Sequence, residues 1–144
     1  MLVHQILSSK PAVGVLTISP EASVGDAVAL LSSKKIGAVV VSRDGVTAEG
    51  IVSERDIVRE LGNRGTGCLT EAVAAIMTRK LVTCGKEDSA DRVMQVMTEG
   101  RFRHLPVLEG GRMVGLVSIG DVVKARLAEL AMEKHALEGM IMGH

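Results

Sequence analysis

Aromatic residues are nearly absent from this chain of 144 residues, which holds a single Phe, Phe102, and neither Trp nor Tyr. The core must therefore be aliphatic, and there is no row of aromatic side chains on which the bases of single-stranded nucleic acid could stack. The formal net charge is zero, so a broadly basic surface is missing as well. We therefore expect no nucleic-acid partner.

Long hydrophobic runs and a disulfide framework are also missing. No apolar run approaches the roughly 20 residues that span a bilayer, so we expect no membrane association. The first residues lack the basic start and long apolar stretch of a signal peptide. Two cysteines, Cys68 and Cys84, are too few for a framework and lack metal-ligand spacing, which favours reduced thiols in a cytoplasmic protein.

The chain does contain an internal repeat. The segment GIVSERDIV from Gly50 recurs as GLVSIGDVV from Gly115, and both match G-[IL]-V-S-x-x-D-[IV]-V. A longer stretch from Ser23 runs parallel to one from Ser89, and VHQIL near the start resembles VAAIM after a Gly-rich linker. The offset between the copies falls from 66 to 65 residues along the chain, which predicts one residue fewer in the turn near Gly111.

Two copies of this length predict an internal pseudo-dimer, with residues 1–64 as the first repeat and residues 65–144 as the second. Hydrophobic periodicity indicates the same order in each copy: strand, helix, strand, strand, helix. Ser23 and Ser89 are placed as helix caps. The β-branched run GAVVVS from Gly37 is typical of a strand that is buried on both faces.

The last helix is predicted from about Ile119 to about Met140 and outruns its counterpart. Its apolar residues alternate at spacings of four and three, with Lys134 filling one place in the series: Val123, Leu127, Leu130, Leu137 and Ile141. Two interpretations stay open. The helix packs on its own domain, or this series is a seam for a second subunit.

The repeated S-x-x-D motif, Ser53 to Asp56 and Ser118 to Asp121, is first of all a helix-capping signature. It also fits a nucleotide, because free N–H groups at a helix start and a hydroxyl suit a phosphate. The carboxylate one turn further on suits the two hydroxyls of a ribose. A Gly begins each preceding strand, where the missing Cβ permits close approach of backbone.

The whole pattern, together with RFRHLPVLEGGRMVG ahead of the second motif, resembles the CBS domain, named after cystathionine β-synthase. Two tandem copies resemble a CBS pair, or Bateman module, of the small stand-alone bacterial kind. The resemblance implies an α/β (α+β) fold of two β-α-β-β-α repeats packed about a pseudo-twofold axis, here with a long C-terminal helix. It also implies two clefts that hold AMP, ADP or ATP, or in some members NAD(H) or S-adenosylmethionine.

Carried over position by position, the resemblance implies that Asp121 binds the ribose in the second cleft and Asp56 binds it in the first. The other residues implied for the second cleft are Ser118, Arg103, Phe102, Ile36, Gly37, Ala38, Ala12 and Val13. Those for the first cleft are Ser53, Arg55, His104, Met77 and Thr78, with Arg103 approaching from the opposite strand.

The two repeats also differ at one of these positions. Gly37 stands where the second repeat has Arg103, and Arg55 compensates where the second repeat has Gly120. We therefore expect different affinities and a better-defined second cleft. Plainer interpretations stay open: caps only for the Ser–Asp pairs, a surface charge for Arg103, and an ion pair within its own helix for Arg55.

The function that follows is a regulatory or sensor module, in which an adenosine nucleotide changes the geometry between the repeats or within a homodimer and a protein partner reads the change. We expect no enzyme and no metal, because no Cys/His or Ser/His/Asp set is placed for nucleophilic work and the four His do not cluster. Two alternatives stay open: a structural homodimer with empty clefts, and a nucleotide hydrolase with Asp121 or Asp56 as base.

Overall fold

The computed structural model describes residues 1–10 and 14–141, which form two three-stranded sheets. In each sheet the first strand runs parallel to the second, and the second runs antiparallel to the third. The strands of the first sheet are β1 (Thr17–Ile18), β2 (Ala38–Val41) and β3 (Gly50–Ser53); those of the second are β4 (Cys84–Gly85), β5 (His104–Glu109) and β6 (Arg112–Ser118).

Five α-helices accompany the strands of the described residues: α1 (Val3–Ser9), α2 (Val24–Lys34), α3 (Glu54–Arg64), α4 (Ala90–Gly100) and α5 (Ile119–Ile141). The predicted caps are confirmed, since the Oγ atoms of Ser23 and Ser89 accept the backbone N–H groups of Asp26 and Arg92. The order β-α-β-β-α therefore occurs twice, and the predicted fold class is confirmed.

The core is divided into three parts. Each repeat has its own cluster of buried aliphatic side chains between its sheet and its helices. A third cluster joins the two sheets and contains Ala38, Val40, Ile51 and Met113. Strand β2 is buried on both faces because one face meets its own helices and the other meets the second sheet, which explains its unbroken β-branched run.

The repeats also exchange a short segment. Val3 and Ile6 of α1 lie in the core of the second repeat, where the Val3 N–H donates to the Asp88 carbonyl at 2.8 Å. In return, Val73 lies in the core of the first repeat and its N–H donates to the Ala22 carbonyl at 2.8 Å. The similarity of VHQIL to VAAIM thus reflects two equivalent segments, each packed on the opposite repeat.

The predicted one-residue difference between the repeats lies in the loop that joins the antiparallel strands. Eight residues separate the paired Val41 and Gly50 in the first sheet, and seven separate Val107 and Gly115 in the second. The shorter connection turns at Gly111 and its neighbour Gly110, which both have positive φ, as a tight hairpin requires. The prediction is confirmed.

The Gly-rich linker is part of the fold rather than a loose connection. It forms the end of α3 and a 3-10 helix over Gly65–Thr70, and its Cys68 is buried. Cys84 is buried too, and burial, with a smaller effect of Asp88, raises its pKa to about 11. Both thiols are free, and the high pKa makes Cys84 a packing residue rather than a nucleophile.

Helix α5 has close to its predicted length and is much longer than α3, its counterpart in the first repeat. Its base packs on the second repeat through Val122 and Ala125. Within residues 1–10 and 14–141, no helix combines the length and the apolar character that crossing a bilayer requires.

Candidate functional site

A cavity of about 440 Å³, here called the first cleft, opens between the start of α3 in the first repeat and the start of β5 in the second. Each repeat therefore contributes one wall. The lining residues are Gly37, Ile51, Ser53, Glu54, Arg55, Asp56, Arg59, Thr78, Lys80, Leu81, Val82, Phe102, Arg103, His104, Ser118 and Ile119.

The Ser53–Asp56 pair closes the start of α3. The Ser53 Oγ accepts the Asp56 N–H at 3.2 Å, and Asp56 Oδ2 accepts the Ser53 N–H at 2.9 Å. The other carboxylate oxygen, Oδ1, accepts from Arg59 at 3.1 Å and lies 3.5 Å from the Thr78 hydroxyl. Oδ2 therefore caps the helix as predicted, while Oδ1 makes only a long, weak contact with the hydroxyl of Thr78, which also lines the cleft.

Four cationic side chains line the first cleft: Arg55, Arg59, Lys80 and Arg103. Of these, Arg59 pairs with Asp56, whereas the other three form no ion pair with any residue in the described part of the chain. The only acids in the lining are Glu54 and Asp56. A neutral chain thus concentrates positive charge at this cavity, which favours an anionic ligand.

His104 also lines the first cleft, at the start of β5, where it pairs with Ser118 of β6 in the sheet. Burial lowers its pKa, and the positive charges of Arg103 and Lys10 lower it further, against the opposing effects of Asp121 and Glu54. The imidazole is therefore neutral at pH 7, and it offers a hydrogen-bond donor and an acceptor rather than another charge.

The remaining wall of the first cleft is apolar. Leu81 and Val82 follow the exchanged segment, Ile51 lies on β3, and Phe102 precedes β5. The single aromatic ring of the chain thus lines the same cavity as the capping carboxylate and the cations. A flat apolar group held against the ring and a charged group held at the cations would fit together in it.

A second cavity of about 500 Å³, the second cleft, is also lined by residues of both repeats. Its lining is mostly aliphatic, with two lysines: Leu7, Lys10, Gly14, Val15, Leu16, Lys34, Ile36, Ala38, Val114, Gly115 and Leu116. Ile36 and Ala38 lie where the resemblance placed them. The predicted Ala12 and Val13 lie outside the described residues.

The carboxylate of Asp121, in the second repeat, forms an ion pair with a lysine. The Lys10 Nζ lies 2.8 Å from Asp121 Oδ2 and also donates to the Leu116 carbonyl at 2.9 Å. The same oxygen accepts the Ser118 N–H at 2.9 Å. Burial alone would raise the pKa of Asp121, but the hydrogen bonds from Lys10 and Ser118 outweigh it and the pKa is lowered.

The predicted residues divide differently between the two cavities. The first cleft gathers Ser53, Arg55, Asp56, Thr78, Arg103 and His104 as implied, and also Gly37, Phe102 and Ser118, which were assigned only to the second. Neither Asp121 nor Met77 lines either cleft: Asp121 is held by Lys10, and Met77 is buried in the core of the first repeat. The second cleft, expected to be better defined, retains only Ile36 and Ala38 of its described residues.

Five charged residues of the two linings were missed, and the sequence contains a signal for three of them. Arg59 follows Asp56 by three residues, so both lie on one face of α3. The exchanged segments read VHQILSSK and VAAIMTRK, so Lys10 and Lys80 end equivalent stretches. Because each segment crosses to the opposite repeat, each lysine reaches a cleft.

Gly50 and Gly115 do permit a close approach, but to the exchanged segments. A Cβ on Gly50 would lie 2.6 Å from Met77 Sδ and 3.0 Å from the Thr78 carbonyl oxygen. A Cβ on Gly115 would lie 2.7 Å from Leu7 Cδ2. The absence of both Cβ atoms lets residues 3–9 and 73–78 pack tightly on the strands beside the clefts.

Metal ligands are not grouped at either cleft. In residues 1–10 and 14–141, no three His, Cys, Asp or Glu side chains come together as they would around an ion.

The fold and the site together define a tandem-repeat module with ligand-sized clefts between its halves. The CBS domain model matches residues 3–63 and 73–128, and the chain therefore belongs to the CBS domain family as a pair of such domains. A CBS-domain containing protein of Agrobacterium tumefaciens is 43% identical, with a TM-score of 0.83 over 88% of this chain and 99% of that one.

A curated relative, the mitochondrial CBS domain-containing protein CBSX3 of Arabidopsis thaliana, is 39% identical over 84% of this chain. This chain spans 61% of that protein's length and less than a quarter of two further Arabidopsis relatives.

Two similar structures contain adenosine compounds. CBSX2 in complex with AMP is 27% identical, with a TM-score of 0.72 over 88% of this chain and 96% of that one. The CBS domain pair of protein MJ0100, in complex with 5′-methylthioadenosine and S-adenosyl-L-methionine, is 25% identical, with a TM-score of 0.77 over 90% and 98%. CBS pairs of this fold thus hold adenosine-derived ligands.

Proposed function

We propose that this chain is a regulatory module that binds an adenosine nucleotide in the first cleft, and that it prefers ATP or ADP to AMP. The observation that carries the proposal is the set of cations Arg55, Lys80 and Arg103, which line the cleft without an ion-pair partner among the described residues. Each phosphate added to the ligand gives these cations another charged acceptor.

The sugar and the base also have partners in the same cleft. Asp56 is the carboxylate for the ribose: its Oδ1 accepts one hydrogen bond from Arg59 at 3.1 Å, and its other contact, with the Thr78 hydroxyl that lines the cleft, is long at 3.5 Å. A ribose hydroxyl that replaces this long contact donates a shorter, charge-assisted bond. The ring of Phe102 and the side chains of Leu81 and Val82 form the apolar surface for adenine.

The second cleft is proposed to take a less charged adenosine derivative, with lower affinity. Its lining contains Lys10 and Lys34 among aliphatic residues, and Lys10 already neutralises Asp121. A ribose there must share Asp121 with Lys10 or displace it. NAD(H) is a weaker candidate for the first cleft, since only its pyrophosphate would use the cations.

Regulation follows from the position of the ligand between the repeats. The first cleft takes Ser53 and Asp56 from one repeat and Arg103 and His104 from the other, so a bound nucleotide bridges both. It favours whichever relative orientation brings the walls to the ligand, and only by the difference in its affinity for the two orientations. A protein partner that contacts both repeats would detect the change; a cytoplasmic location stays a prediction.

We infer binding rather than catalysis. Asp56, the one carboxylate of the cleft that caps a helix, already accepts from Ser53 and Arg59, which leaves it poorly suited to remove a proton from water. Incubation with ATP should therefore give no turnover above that of an Asp56→Asn variant. A rate that is lost in that variant would favour the hydrolase instead.

Calorimetric titration with ATP, ADP, AMP and adenosine tests the proposal. We expect affinity to fall along that series, and Arg103→Ala to weaken ATP binding about tenfold or more, since a hydrogen bond to a charged group contributes roughly 1.5–3 kcal/mol. Adenosine, which lacks phosphate, should bind the variant and the wild type alike.

Arg112→Ala is the matched control, because Arg112 is exposed like Arg103 but lies at the hairpin end of β6 and lines neither cleft. It should leave all four titrations unchanged. Absence of heat and of thermal stabilisation with every nucleotide would contradict the proposal and leave the structural scaffold as the better interpretation.

A further inference from the structure

His104 is the one histidine among the described residues that line the first cleft. Imidazole is the side chain that ordinarily changes its charge between about pH 5 and about pH 8. The other charged residues of the lining are Arg, Lys, Asp and Glu, side-chain types that ordinarily keep one charge through that range. His104 is therefore the place where the charge of this cavity can change under neutral conditions.

Charged groups face His104 from four parts of the fold. Arg103 precedes it in the chain, Lys10 follows α1, Asp121 lies in the first turn of α5, and Glu54 begins α3. Burial lowers the pKa of His104 most, Arg103 and Lys10 lower it further, and the two acids oppose them. A proton on the imidazole would add a positive charge beside two others, so the free protein favours the neutral ring. The remaining charged residues of the lining lie on α3 and after the second exchanged segment: Arg55, Asp56, Arg59 and Lys80.

Bound phosphates would change this balance. In the proposed function they lie at Arg55, Lys80 and Arg103, and Arg103 is the chain neighbour of His104. Their negative charge offsets the cations that disfavour another positive charge, and an anion near a partly buried imidazole favours its protonated form. A protonated imidazole donates from both ring nitrogens, so it can give a phosphate oxygen a charge-assisted hydrogen bond.

We propose that His104 takes up a proton when the phosphates of a nucleotide enter the first cleft, so that the module binds phosphorylated ligands more tightly as the pH falls from about 8 to about 7. This inference rests on the proposed function, since it needs phosphates in that cleft. The proton comes from the solvent together with the ligand. The fraction of the module that holds a nucleotide therefore depends on pH as well as on nucleotide concentration.

The second cleft provides an internal comparison. Ala38 stands in the first repeat where His104 stands in the second, and it lines the second cleft. The described lining of that cleft contains no histidine, and its charged residues are Lys10 and Lys34. A ligand bound there should cause no proton uptake by the protein in the same pH range.

The first test is the pH dependence of ATP affinity, measured by calorimetric titration between about pH 8 and about pH 7. The affinity of the wild type should rise as the pH falls, by at most about tenfold per pH unit for one proton. His104→Gln should lose most of this dependence, and the difference between the two proteins cancels the titration of the ATP phosphates themselves. His104→Lys, which keeps a positive charge, should bind ATP tightly with little dependence on pH.

His135→Gln is the matched control, because His135 is exposed on α5 and lines neither cleft. It should retain the pH dependence of the wild type. Adenosine is the ligand control, since it has no phosphate and its affinity should not change over the same range. A pH dependence that is equal in the wild type and His104→Gln, or equal for ATP and adenosine, overturns the proposal.

The second test measures the proton directly. The ATP titration is repeated in buffers that differ in their enthalpy of ionisation, which gives the number of protons taken up per ATP. The wild type should take up more than His104→Gln at the same pH. A neutral imidazole that donates one N–H to a phosphate would strengthen binding without extra uptake. Equal uptake therefore overturns the proposal, even where His104→Gln binds ATP more weakly.

Nuclear magnetic resonance of the imidazole gives a third readout, with the His104 signals assigned by their loss in His104→Gln. Saturating ATP should raise the pKa of His104, and adenosine should leave it unchanged. A pKa that is no higher with ATP than in the free protein overturns the proposal. ATP binding without any dependence on His104 leaves the proposed function standing, whereas no ATP binding at any pH in the range overturns both.

Discussion

The two clefts are made from equivalent segments of the two repeats, yet their chemistry differs. Across from Ser53 and Asp56, the first cleft presents Arg103 and His104. At the equivalent places of the first repeat stand Gly37 and Ala38; Ala38 lines the second cleft, which is aliphatic apart from its two lysines. The same backbone thus surrounds a cavity lined by cations in one place and a largely aliphatic cavity in the other, because a few side chains at the start of one strand differ.

The capping carboxylates show the same contrast. Asp56 is paired by Arg59 of its own helix, which leaves Lys80 of the exchanged segment free to line the first cleft. Asp121 has Lys124 at the position equivalent to Arg59, but its partner is Lys10, the counterpart of Lys80. The choice of which cation neutralises the acid therefore decides how much positive charge remains for a ligand.

The largest expected effect concerns the glycines under the exchanged segments. Gly50→Ala should lower the free energy of unfolding by about 1–3 kcal/mol, the usual cost of overpacking, because the new Cβ would meet the Thr78 carbonyl as well as Met77. Gly115→Ala should cost less, since its nearest neighbours are the flexible end of Leu7. Urea unfolding of both variants measures the difference, and an equal cost would show that the backbone contact at Thr78 is not the limiting one.

A smaller effect is expected from Lys10→Met, which releases Asp121. Calorimetry with adenosine should then detect a second binding event per chain, with affinity raised several-fold over the wild type. Lys34→Met is the control, because Lys34 lines the same cleft but pairs with no described acid. An unchanged titration of Lys10→Met would show that Lys10 does not compete with the ligand.

The same variant should lose a little stability, under about 1 kcal/mol, because the Lys10–Asp121 pair is partly exposed. The pKa of Asp121 is lowered from its ordinary 3.8, so the pair stabilises the fold above pH 3.8. This contribution disappears as the pH falls through the lowered pKa, when the carboxylate is protonated in the folded protein too. The stability difference between the two proteins should therefore vanish in acid.

The smallest effect is expected at His104, which Ala38 replaces in the first repeat. Its pKa is lowered from 6.5 in the folded protein, so the unfolded chain binds a proton more readily. Stability therefore rises with pH through this range and falls below about pH 6.5. His104→Gln should flatten the pH dependence of the urea midpoint between pH 7 and pH 5, and an equally steep dependence would assign it to other groups.

Local features of the fold were predictable from the sequence. The caps at Ser23, Ser53 and Ser89 and the buried strand from Ala38 depend on side chains within a few residues of each other, and the repeat doubled each signal. The pairing of Ser53 with Asp56 followed for the same reason. These are short-range interactions, and a sequence pattern reports them directly.

The cleft assignments depended on how the repeats cross, which no local pattern reports. Phe102 precedes the strand that pairs with Ser118, so it was assigned to the cleft of Asp121; packing of the sheets places it in the cavity that Ser53 lines instead. The Lys10–Asp121 pair joins residues 111 positions apart. Such contacts follow from the exchange of segments between the repeats, for which only the likeness of VHQIL to VAAIM was visible.

Because the repeats exchange segments, the order of these segments along the chain could be changed by circular permutation without changing the fold. The amino group of Met1 lies 2.8 Å from the Glu129 carboxylate on α5, so the start of the chain lies beside the last helix. A circularly permuted gene that omits residues 130–144, joins residue 129 to residue 1 and opens the chain between residues 10 and 14 would encode each folded half as one continuous stretch. Connectivity, rather than shape, is what makes the natural halves inseparable.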